Sequence, residues 1–359
     1  MDTSILGTLS ELAPDLMEAL ELRALVLERV GALAPIGRRA LAVRLHLPER
    51  SVRSAADALR EAGLLTQSAS GMELTERGQN LLEAARAVSG GRRALSSLES
   101  TLARKLNVER VCVVPGDADR DEAVLREAAR AMARRVRALL AGAHVLAVSG
   151  GRSIALTAEA LEEAAPIASA APIASAAPLD VTVVPAQGGV SGSVKTQANT
   201  LAERFAERLG ANHRLLHLPD GLRDLAPGSA AARELSRLPQ VREALELLRS
   251  ADVMLYGVGR AQTLAERRGL SLPEREELAQ LGAVGEALGF YFDAQGRVVG
   301  PWRSLAIEEE TLGRANRAAV IAAGSGKAEA ILAVLAHHPH ALLVTDEGAA
   351  SRIAGLLRL

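Results

Sequence analysis

The sequence has one cysteine, few lysines and no long apolar run. The first shortage excludes a disulfide within the chain, and the last argues against a membrane-spanning helix. Cys112 has no partner for a disulfide within the chain, and its place in the strand-like run RVCVV is typical of a small core residue rather than a catalytic thiol. No uninterrupted apolar run reaches about 18 residues, and no basic region precedes an apolar stretch at the start. Neither secretion nor membrane insertion is indicated, so we expect a cytoplasmic protein.

The charge of the chain is nearly balanced. Its 42 basic and 43 acidic residues leave a formal net charge of -1, which argues against indiscriminate coating of nucleic acid but leaves room for a local basic face. Almost all of the basic residues are arginine. The lysines are Lys105, Lys195 and Lys327, and the last two lie beside glycine-rich turns, where a compact ammonium group suits the binding of an anion.

Short helices and a hairpin are predicted in residues 1–90. Apolar residues recur at helical spacing from Leu20 to Leu33, a second helix follows over 38–45, and a third begins at Glu49 after the HLP turn. The run LLTQSASGMELTERG then predicts two short strands around Gly71. The buried stripe expected on the third helix consists of Val52, Ala55, Ala56, Leu59 and Ala62.

Arginine and serine mark the outer side of the third helix at its start. A helix-turn-helix places such side chains in the major groove, and six arginines stand against Glu49 and Asp57 between residues 37 and 60. We therefore interpret residues 1–90 as a winged helix-turn-helix domain that binds double-stranded operator DNA. A helical oligomerisation or protein-binding module with a solvated arginine face is the alternative. The residues expected to contact DNA are Arg50, Ser51, Arg53 and Ser54.

A helical linker is expected over residues 91–107. Leucines at positions 95, 98, 102 and 106 are spaced three or four apart, in a helical pattern that begins at Leu81 and is interrupted by Gly90 and Gly91. This stripe either pairs two chains or packs on the next domain of its own chain, and so short a run favours neither.

Residues 108–359 alternate between apolar runs and helical segments, which is typical of a mostly parallel sheet wrapped by helices. Small residues follow several runs, at 149–153, 186–192, 257–261 and 324–327. Because the carboxyl ends of parallel strands share one edge, these turns are expected to converge on one ligand crevice. The predicted fold class is α/β, with a winged helix-turn-helix before a Rossmann-like domain. The runs interpreted as strands are RVCVV, HVLAV, LDVTVV, RLLHL, DVMLYGV, RAAVIAAG and ALLVT.

Glycine-rich turns in this domain have the character of phosphate-binding segments. In VVPAQGGVSGSVKTQAN the glycines let backbone N–H groups approach an anion, and the following helix directs its positive end there. GSGK at 324–327 lacks the leading glycine of a Walker motif, and a nucleotide-binding regulator would rest on it alone. The repeat PIASAA between 163 and 179 predicts a flexible surface insertion. HHPH at 337–340 lacks a ligand geometry, so no metal site is predicted.

A series of ordered motifs runs through the larger domain: VVPGDAD (113–119), VSGGRS, VPAQGGVSGSVKTQAN, LLHLPDGL (215–222), ADVMLYGVGRAQTLAERR (251–268), AVGEALGFYFDAQGRVV (283–299), GSGKAEAI and LVTDEGAA. With the helix-turn-helix, they resemble the sorbitol-operon regulator (SorC) family of bacterial transcription factors, in its branch of central glycolytic genes regulators. The resemblance covers the front domain and nearly all of residues 108–357. Each motif alone is weak, but so many in order are jointly specific.

The resemblance implies a DNA-binding repressor with a sugar-phosphate sensing domain, related in fold to glucosamine-phosphate deaminases and ribose-phosphate isomerases. The glycine-rich turns would then hold phosphates without chemistry, so no catalytic residue and no cofactor are implied. The effector it suggests is fructose 1,6-bisphosphate. By position, the implied contacts to phosphate and sugar are Gly151, Arg152, Ser153, Gln187, Gln197, Arg267, Glu286, Ser325, Gly326 and Lys327.

Two regions of this set depart from the branch. Two threonines typically stand where this chain has Arg152 and Ser153, and an arginine typically stands where it has Gln187. One guanidinium is lost at 187 and one is gained at 152. This is either a swap that keeps the phosphate paired across the crevice or the mark of a different effector.

The main hypothesis is a transcriptional regulator whose DNA affinity is set by a phosphorylated sugar. Repeated half-sites in operators predict a homo-oligomer, a dimer or a tetramer. The alternative is a sugar-phosphate isomerase or deaminase with an accessory DNA-binding head, which would need a general base at the crevice. Glu286, Asp346 and Glu347 are the only carboxylates that we place near the motif segments.

Overall fold

The computed structural model describes residues 13–68, 70–163, 179–189, 193–219, 229–301, 305–307, 317–336 and 338–359. Most of the predicted surface insertion, residues 164–178, and His337 of the HHPH segment lie outside the described residues. Contacts divide the chain into two units, Met1–Ser97 and Leu98–Leu359. Within the described ranges, no helix is both long and apolar enough to cross a membrane.

Helices and a hairpin form the first unit, in the predicted order. Pro14 occupies the first turn of helix α1, where a missing N–H costs nothing, and Gly71 adopts a φ of 141° in the hairpin turn. A Cβ on Gly71 would lie 2.7 Å from the backbone nitrogen of Ile36, so the turn requires glycine. The elements are α1 (Pro14–Leu33), α2 (Arg38–Leu45), α3 (Glu49–Glu61), β1 (Leu65–Gln67), β2 (Met72–Leu74) and α4 (Glu76–Asn80).

The predicted buried stripe of α3 is confirmed except at its end. Val52, Ala55, Ala56 and Leu59 are buried in the core of this unit. Ala62 is exposed, because α3 ends at Glu61 and Ala62 is its C-cap. The start of α1 was also predicted too late, at residue 20 rather than 14.

Helix α5 (Leu82–Lys105) spans most of the predicted linker. It passes Gly90 and Gly91 without the interruption that the sequence predicted. The boundary between the two units falls inside it, after Ser97. Leu102 is fully buried within the single chain, which favours packing of the leucine stripe on its own chain at that position.

The described strands of the second unit build a seven-stranded parallel sheet in the order β3-β13-β12-β7-β4-β5-β6. The carboxylate of Glu99 lies along the β3 edge and accepts a hydrogen bond from the Val113 N–H at 2.7 Å. At the other edge, β6 is only two residues long. The strands are β3 (Arg110–Val114), β4 (Val145–Val148), β5 (Thr182–Pro185), β6 (Asn212–His213), β7 (Val253–Gly257), β12 (Arg317–Ile321) and β13 (Leu342–Asp346).

Apolar stripes on three helices bury one face of this sheet. Side chains of α6, α7 and α8 share a single core cluster with the inward residues of the strands. Cys112 belongs to that cluster, and burial raises the pKa of its thiol, so the predicted core role is confirmed. The helices are α6 (Glu122–Leu139), α7 (Arg152–Glu163), α8 (Ala198–Leu209), α9 (Ala230–Arg237), α10 (Pro239–Arg249), α11 (Ala261–Arg267), α12 (Leu272–Gln280), α13 (Ala328–Leu335) and α14 (Glu347–Leu356).

A smaller antiparallel sheet was not predicted. It consists of β8 (Gly259–Arg260), β9 (Ala283–Ala287), β10 (Phe290–Asp293) and β11 (Val298–Val299), in the order β11-β10-β9-β8. The predicted strand RLLHL is also wrong, because β6 lies just before that run. The side chain of Asn199 takes the place of a strand partner for Leu216, accepting from its N–H at 2.9 Å and donating to its carbonyl at 3.0 Å.

Candidate functional site

The carboxyl ends of neighbouring strands form the edge on which the site lies. Strand β4 leads through α7 to β5 on one side, whereas β7 leads towards β12 on the other. Such a reversal between adjacent strands opens a crevice at their carboxyl ends. The small-residue turns follow β4, β5, β7 and β12, which agrees with the prediction that they share an edge.

The turn after β4 packs closely on the segment before α8. A Cβ on Gly150 would lie 2.8 Å from the carbonyl oxygen of Thr196 and 3.0 Å from Nε2 of Gln187. Gly151, with a φ of 115°, donates its N–H to the same Thr196 carbonyl at 2.8 Å. The structure therefore brings Gly150 and the buried Gln187 together, and the N–H of the neighbouring Gly151 is already engaged.

The glycine-rich segment after β5 does not run directly into a helix. A single 3-10 turn (Val194–Thr196) intervenes, and α8 begins at Ala198 with Gln197 as its N-cap. Gln197 is half-buried, and its Oε1 lies 3.6 Å from the place of a Cβ on Gly189. Gln197 thus lies on the β5 side of the crevice. Residues 190–192 lie outside the described ranges.

The turn after β12 holds its predicted donors against two aspartates. The Ser325 N–H donates to Oδ1 of Asp117 at 3.1 Å, and the Gly326 N–H donates to Oδ2 of Asp119 at 2.7 Å. Both aspartates belong to the connection between β3 and α6. Backbone donors expected to bind phosphate therefore bind carboxylates of the same chain.

Positive side chains gather around this turn. Lys327 is half-buried, and removal from water lowers the pKa of its ammonium group, although Asp119 and Asp346 oppose that shift. The charges of Arg267 and Arg260, both exposed, lower it further. Desolvation and repulsion among like charges make the cluster suited to an anion that brings compensating charge.

Arg260 also lies beside this turn, although it was not among the residues predicted from the sequence. Its Nη1 lies 3.7 Å from the place of a Cβ on Gly326. It lies in the GVGRA turn, where the sequence prediction concerned only the small residues. Asp117 and Asp119 were not predicted either, because no role was assigned to the carboxylates of the VVPGDAD motif. The prediction that Glu286, Asp346 and Glu347 are the only carboxylates near the motif segments was therefore wrong.

Glu286 is buried on β9 and is held by the protein itself. Its Oε1 accepts from Nη2 of Arg268 at 2.7 Å and from the Gly289 N–H at 2.8 Å. The side chains of Arg268 and Glu286 are only 11% and 5% exposed. Arg268, not its neighbour Arg267, therefore pairs with Glu286 and supports the junction of β8 and β9.

Arg152 begins α7 and forms an ion pair with Glu122 at the start of α6. About half of its side chain is exposed. Ser153 follows it, half-buried, and its carbonyl accepts from the Thr157 hydroxyl at 2.8 Å. The guanidinium predicted to grip phosphate is thus engaged by a carboxylate.

An open cavity of about 480 Å³ borders the turn after β12. Asp117, Arg120 and Ser325 lie in its wall, beside Glu347 and Gly348. This volume is within the range of small-ligand sites.

The remaining carboxylates at this edge have structural partners. Asp346 is fully buried, and its oxygens accept from the N–H groups of Ala118, Gly324 and Ala349. Burial raises the pKa of Asp346 in spite of these bonds. Glu347 accepts from the Gly116 N–H at 3.2 Å. Among the described residues, no group of three potential ligands is arranged to hold a metal ion.

The predicted DNA-contacting residues lie together on the first turns of α3. Arg50, Arg53 and Ser54 are exposed, and Ser51 is half-buried. Glu49 accepts a hydrogen bond from Arg53 at 2.8 Å and lies 3.4 Å from Nε of Arg39. The hydrogen bond from Arg53 holds the pKa of Glu49 below its usual value.

A helix-turn-helix unit followed by a mostly parallel α/β domain is the architecture of a transcriptional regulator with DNA-binding and sugar-binding domains. Residues 19–88 match the CggR N-terminal DNA-binding domain, and residues 93–354 match the sugar-binding domain family. The chain belongs to the SorC family of bacterial transcriptional regulators, in the branch of the central glycolytic genes regulators.

Named relatives and solved structures agree with this assignment. The central glycolytic genes regulator of Priestia megaterium is 36% identical over 355 residues, covering 98% of both chains, and that of Bacillus subtilis is 33% identical over 343 residues, covering 96% of both. A SorC family transcriptional regulator from Enterococcus faecalis matches with a TM-score of 0.60 and 30% identity, over 72% of this chain and 99% of that one. The full-length sorbitol operon regulator SorC of Klebsiella pneumoniae shares the fold, with a TM-score of 0.61 at 20% identity over 94% and 99% of the chains.

Proposed function

We propose that this protein represses genes of central sugar metabolism and that a phosphorylated sugar controls its affinity for operator DNA. We assign DNA binding to residues 1–90, a helical linker to 91–107 and effector binding to 108–359. Fructose 1,6-bisphosphate is the leading effector candidate, since the named relatives regulate central glycolytic genes. The protein then acts in the cytoplasm on DNA, without a cofactor or a membrane partner.

The observation that carries this proposal is the gathering of Lys327, Arg260 and Arg267 around the turn after β12. Backbone N–H groups and a compact ammonium group together are typical of phosphate sites, and an arginine fork can hold two phosphate oxygens. On the β4 side, Gly151, Arg152 and Ser153 offer a second place for phosphate. Gln187 and Gln197 are amides suited to the hydroxyls of the sugar between them. Contacts on both sides suit a ligand that carries a phosphate at each end.

Control of DNA binding follows from linkage. An effector that binds one arrangement of the protein more tightly shifts the population towards that arrangement, and DNA binding shifts it in the other direction. The coupling is reciprocal, so operator DNA must weaken effector binding by the same factor.

Of the three carboxylates named for the enzyme alternative, Glu286 and Asp346 are poorly suited to act as a general base. A general base must be able to accept a proton from the substrate. Glu286 is held by Arg268 and a backbone N–H, and Asp346 is held by three backbone N–H groups. We therefore propose that the protein is not an enzyme.

A ligand titration tests the proposal. The melting temperature is measured with a panel of phosphorylated sugars, with unphosphorylated fructose as the control, and DNA affinity is then followed by fluorescence anisotropy on duplexes that the protein selects from a random pool. An effector at 100 times its Kd stabilises by about 2.7 kcal/mol. A panel without any shift would refute the sensor, and turnover of a sugar phosphate would support the isomerase or deaminase alternative.

Two further measurements test the DNA-binding unit and the assembly. The double substitution Arg50→Ala and Arg53→Ala is expected to abolish operator binding and to leave sugar-phosphate binding intact, because both side chains are exposed at the start of α3. Surviving DNA binding would show that α3 is not the reading helix. We also propose at least a dimer, and a monomer in light scattering at micromolar concentration would contradict this.

A further inference from the structure

One short segment engages phosphate-binding groups on both sides of the proposed site. Residues 117–122 connect β3 to α6, and we refer to them as the acidic segment. Asp117 and Asp119 accept the N–H groups of Ser325 and Gly326, and Glu122 pairs with Arg152. The carboxylates of this segment thus occupy the same groups that the proposed function assigns to phosphate.

Asp119 is fitted closely into the turn after β12. A Cβ on Gly324 would lie 2.6 Å from its Oδ1, and a Cβ on Gly326 would lie 3.0 Å from its Oδ2. Glycine at these two positions therefore leaves the space that the carboxylate fills. A larger residue at either one would push the acidic segment away.

The surroundings of Asp119 are those of a bound anion. Its Oδ2 accepts the Gly326 N–H at 2.7 Å, and the charge of Lys327 is close enough to interact with it. Nη1 of Arg260 lies 3.7 Å from the same Cβ place on Gly326 that Asp119 approaches. The carboxylate thus accepts one backbone N–H bond, with an ammonium group and a guanidinium nearby, and these are the kinds of partner that phosphate oxygens prefer.

We propose that Asp119, assisted by Asp117 and Glu122, is an internal anion that competes with the phosphate of the effector and so sets the affinity and selectivity of the site. This inference rests on the proposed function, because it takes the turn after β12 as the phosphate site. Two anions cannot share the same donors without strong repulsion, so a phosphate must displace the Asp119 carboxylate.

The competition has a consequence for ligand choice. A phosphate group brings close to two negative charges at neutral pH, whereas the carboxylate that it replaces brings one. A neutral sugar brings none and leaves the cations unpaired if the carboxylate departs. The acidic segment therefore discriminates against unphosphorylated sugars and against singly charged ligands.

The test compares Asp119→Asn with a matched substitution elsewhere. Asp119 is exposed, so its replacement is compatible with folding, which a melting curve checks. The control is Asp180→Asn, which removes the same charge at an exposed position before β5, at the opposite end of the strands. Inorganic phosphate and fructose 1,6-bisphosphate are titrated into the full chain by calorimetry at constant ionic strength.

The Kd of both probes is expected to fall about tenfold in Asp119→Asn, since one charge-assisted hydrogen bond no longer competes. Asp180→Asn is expected to bind like the original chain. An unchanged Kd would overturn the inference, because Asp119 would then have no part in binding. Weaker binding would overturn it too, since Asp119 would then contact the ligand. An equal gain in the control would show that only the net charge of the protein matters. Asp119→Ala, which also removes the acceptor oxygen, must tighten binding at least as much. Failure of both probes to bind the original chain and the variants would instead refute the phosphate site itself.

Discussion

The buried ion pair between Arg268 and Glu286 allows a quantitative test of how the small sheet is held. We consider Arg268→Met, which keeps an unbranched side chain and removes the guanidinium. Glu286 then remains buried and keeps its hydrogen bond from the Gly289 N–H at 2.8 Å. Loss of one partner from a buried pair costs about 3–5 kcal/mol, and the remaining N–H bond places this case near the lower end, at about 3 kcal/mol.

The expected result is a drop in the melting temperature of the sugar-binding domain of roughly 6–12 °C, because about 1 kcal/mol corresponds to roughly 2–4 °C in a domain of this size. Differential scanning calorimetry measures it on the full chain. Adding Glu286→Gln to the same chain removes the stranded charge, so the double variant is expected to be more stable than Arg268→Met alone.

Arg242→Met is the matched control, since its pair with Glu246 spans 3.9 Å and both side chains are about two-thirds exposed. Exposed pairs contribute about 0–1 kcal/mol, so the melting temperature should hardly change. A loss below about 1 kcal/mol in Arg268→Met would refute the reasoning, as would a double variant no more stable than the single one.

Four other substitutions have definite expected outcomes. Lys327→Ala or Arg152→Ala should weaken effector binding on the order of tenfold to a hundredfold in calorimetry, with effector-free DNA binding intact, and superimposable titration curves would remove these residues from the site. Glu49→Gln frees Arg39 and Arg53 for DNA phosphates, so anisotropy should show tighter non-specific binding and a salt dependence steeper by about one unit, and an unchanged slope would contradict this. Asp252 accepts the N–H groups of His144 and Val145, and these hydrogen bonds hold its pKa below the usual value. Its stabilisation is therefore present above about pH 3.9 and is lost as pH falls through the folded pKa, so Asp252→Asn should lower the melting temperature at pH 7 by roughly 3–6 °C and much less near pH 2. An equal difference at both pH values would be evidence against that assignment.

The sequence was informative where structure depends on neighbouring residues. Helix α2 lies over the predicted 38–45, and strand β3 coincides with RVCVV, because apolar spacing and turn residues act over a few positions. The strand RLLHL was wrong because a side chain, Asn199, satisfies the backbone that a strand partner would have paired. The small sheet escaped prediction because β8 and β11 have only two residues each, too few to show a period, and β9 and β10 were considered only as parts of a family motif.

The sequence predicted where the turns of the candidate site lie in the fold, but not which residues contact them. The turns were placed correctly on one edge, since that follows from the geometry of parallel sheets. The partners of those turns were not, because Asp119 and Gly326 are 207 positions apart in the chain. Likewise, the pairing of Glu286 with Arg268 rather than Arg267 depends on how the chain leaves α11, which ends at Arg267 with Arg268 as its C-cap.

The two edge strands of the central sheet bear on how readily the protein aggregates. An edge strand has unpaired backbone N–H and C=O groups that can pair with a strand of another chain, and such pairing leads to aggregation. At the β3 edge the carboxylate of Glu99 accepts the hydrogen bond of the Val113 N–H. At the other edge β6 has only two residues with which another strand could pair. The addition of a strand from another copy is therefore hindered at both edges, at β3 by the Glu99 side chain and at β6 by the shortness of the strand.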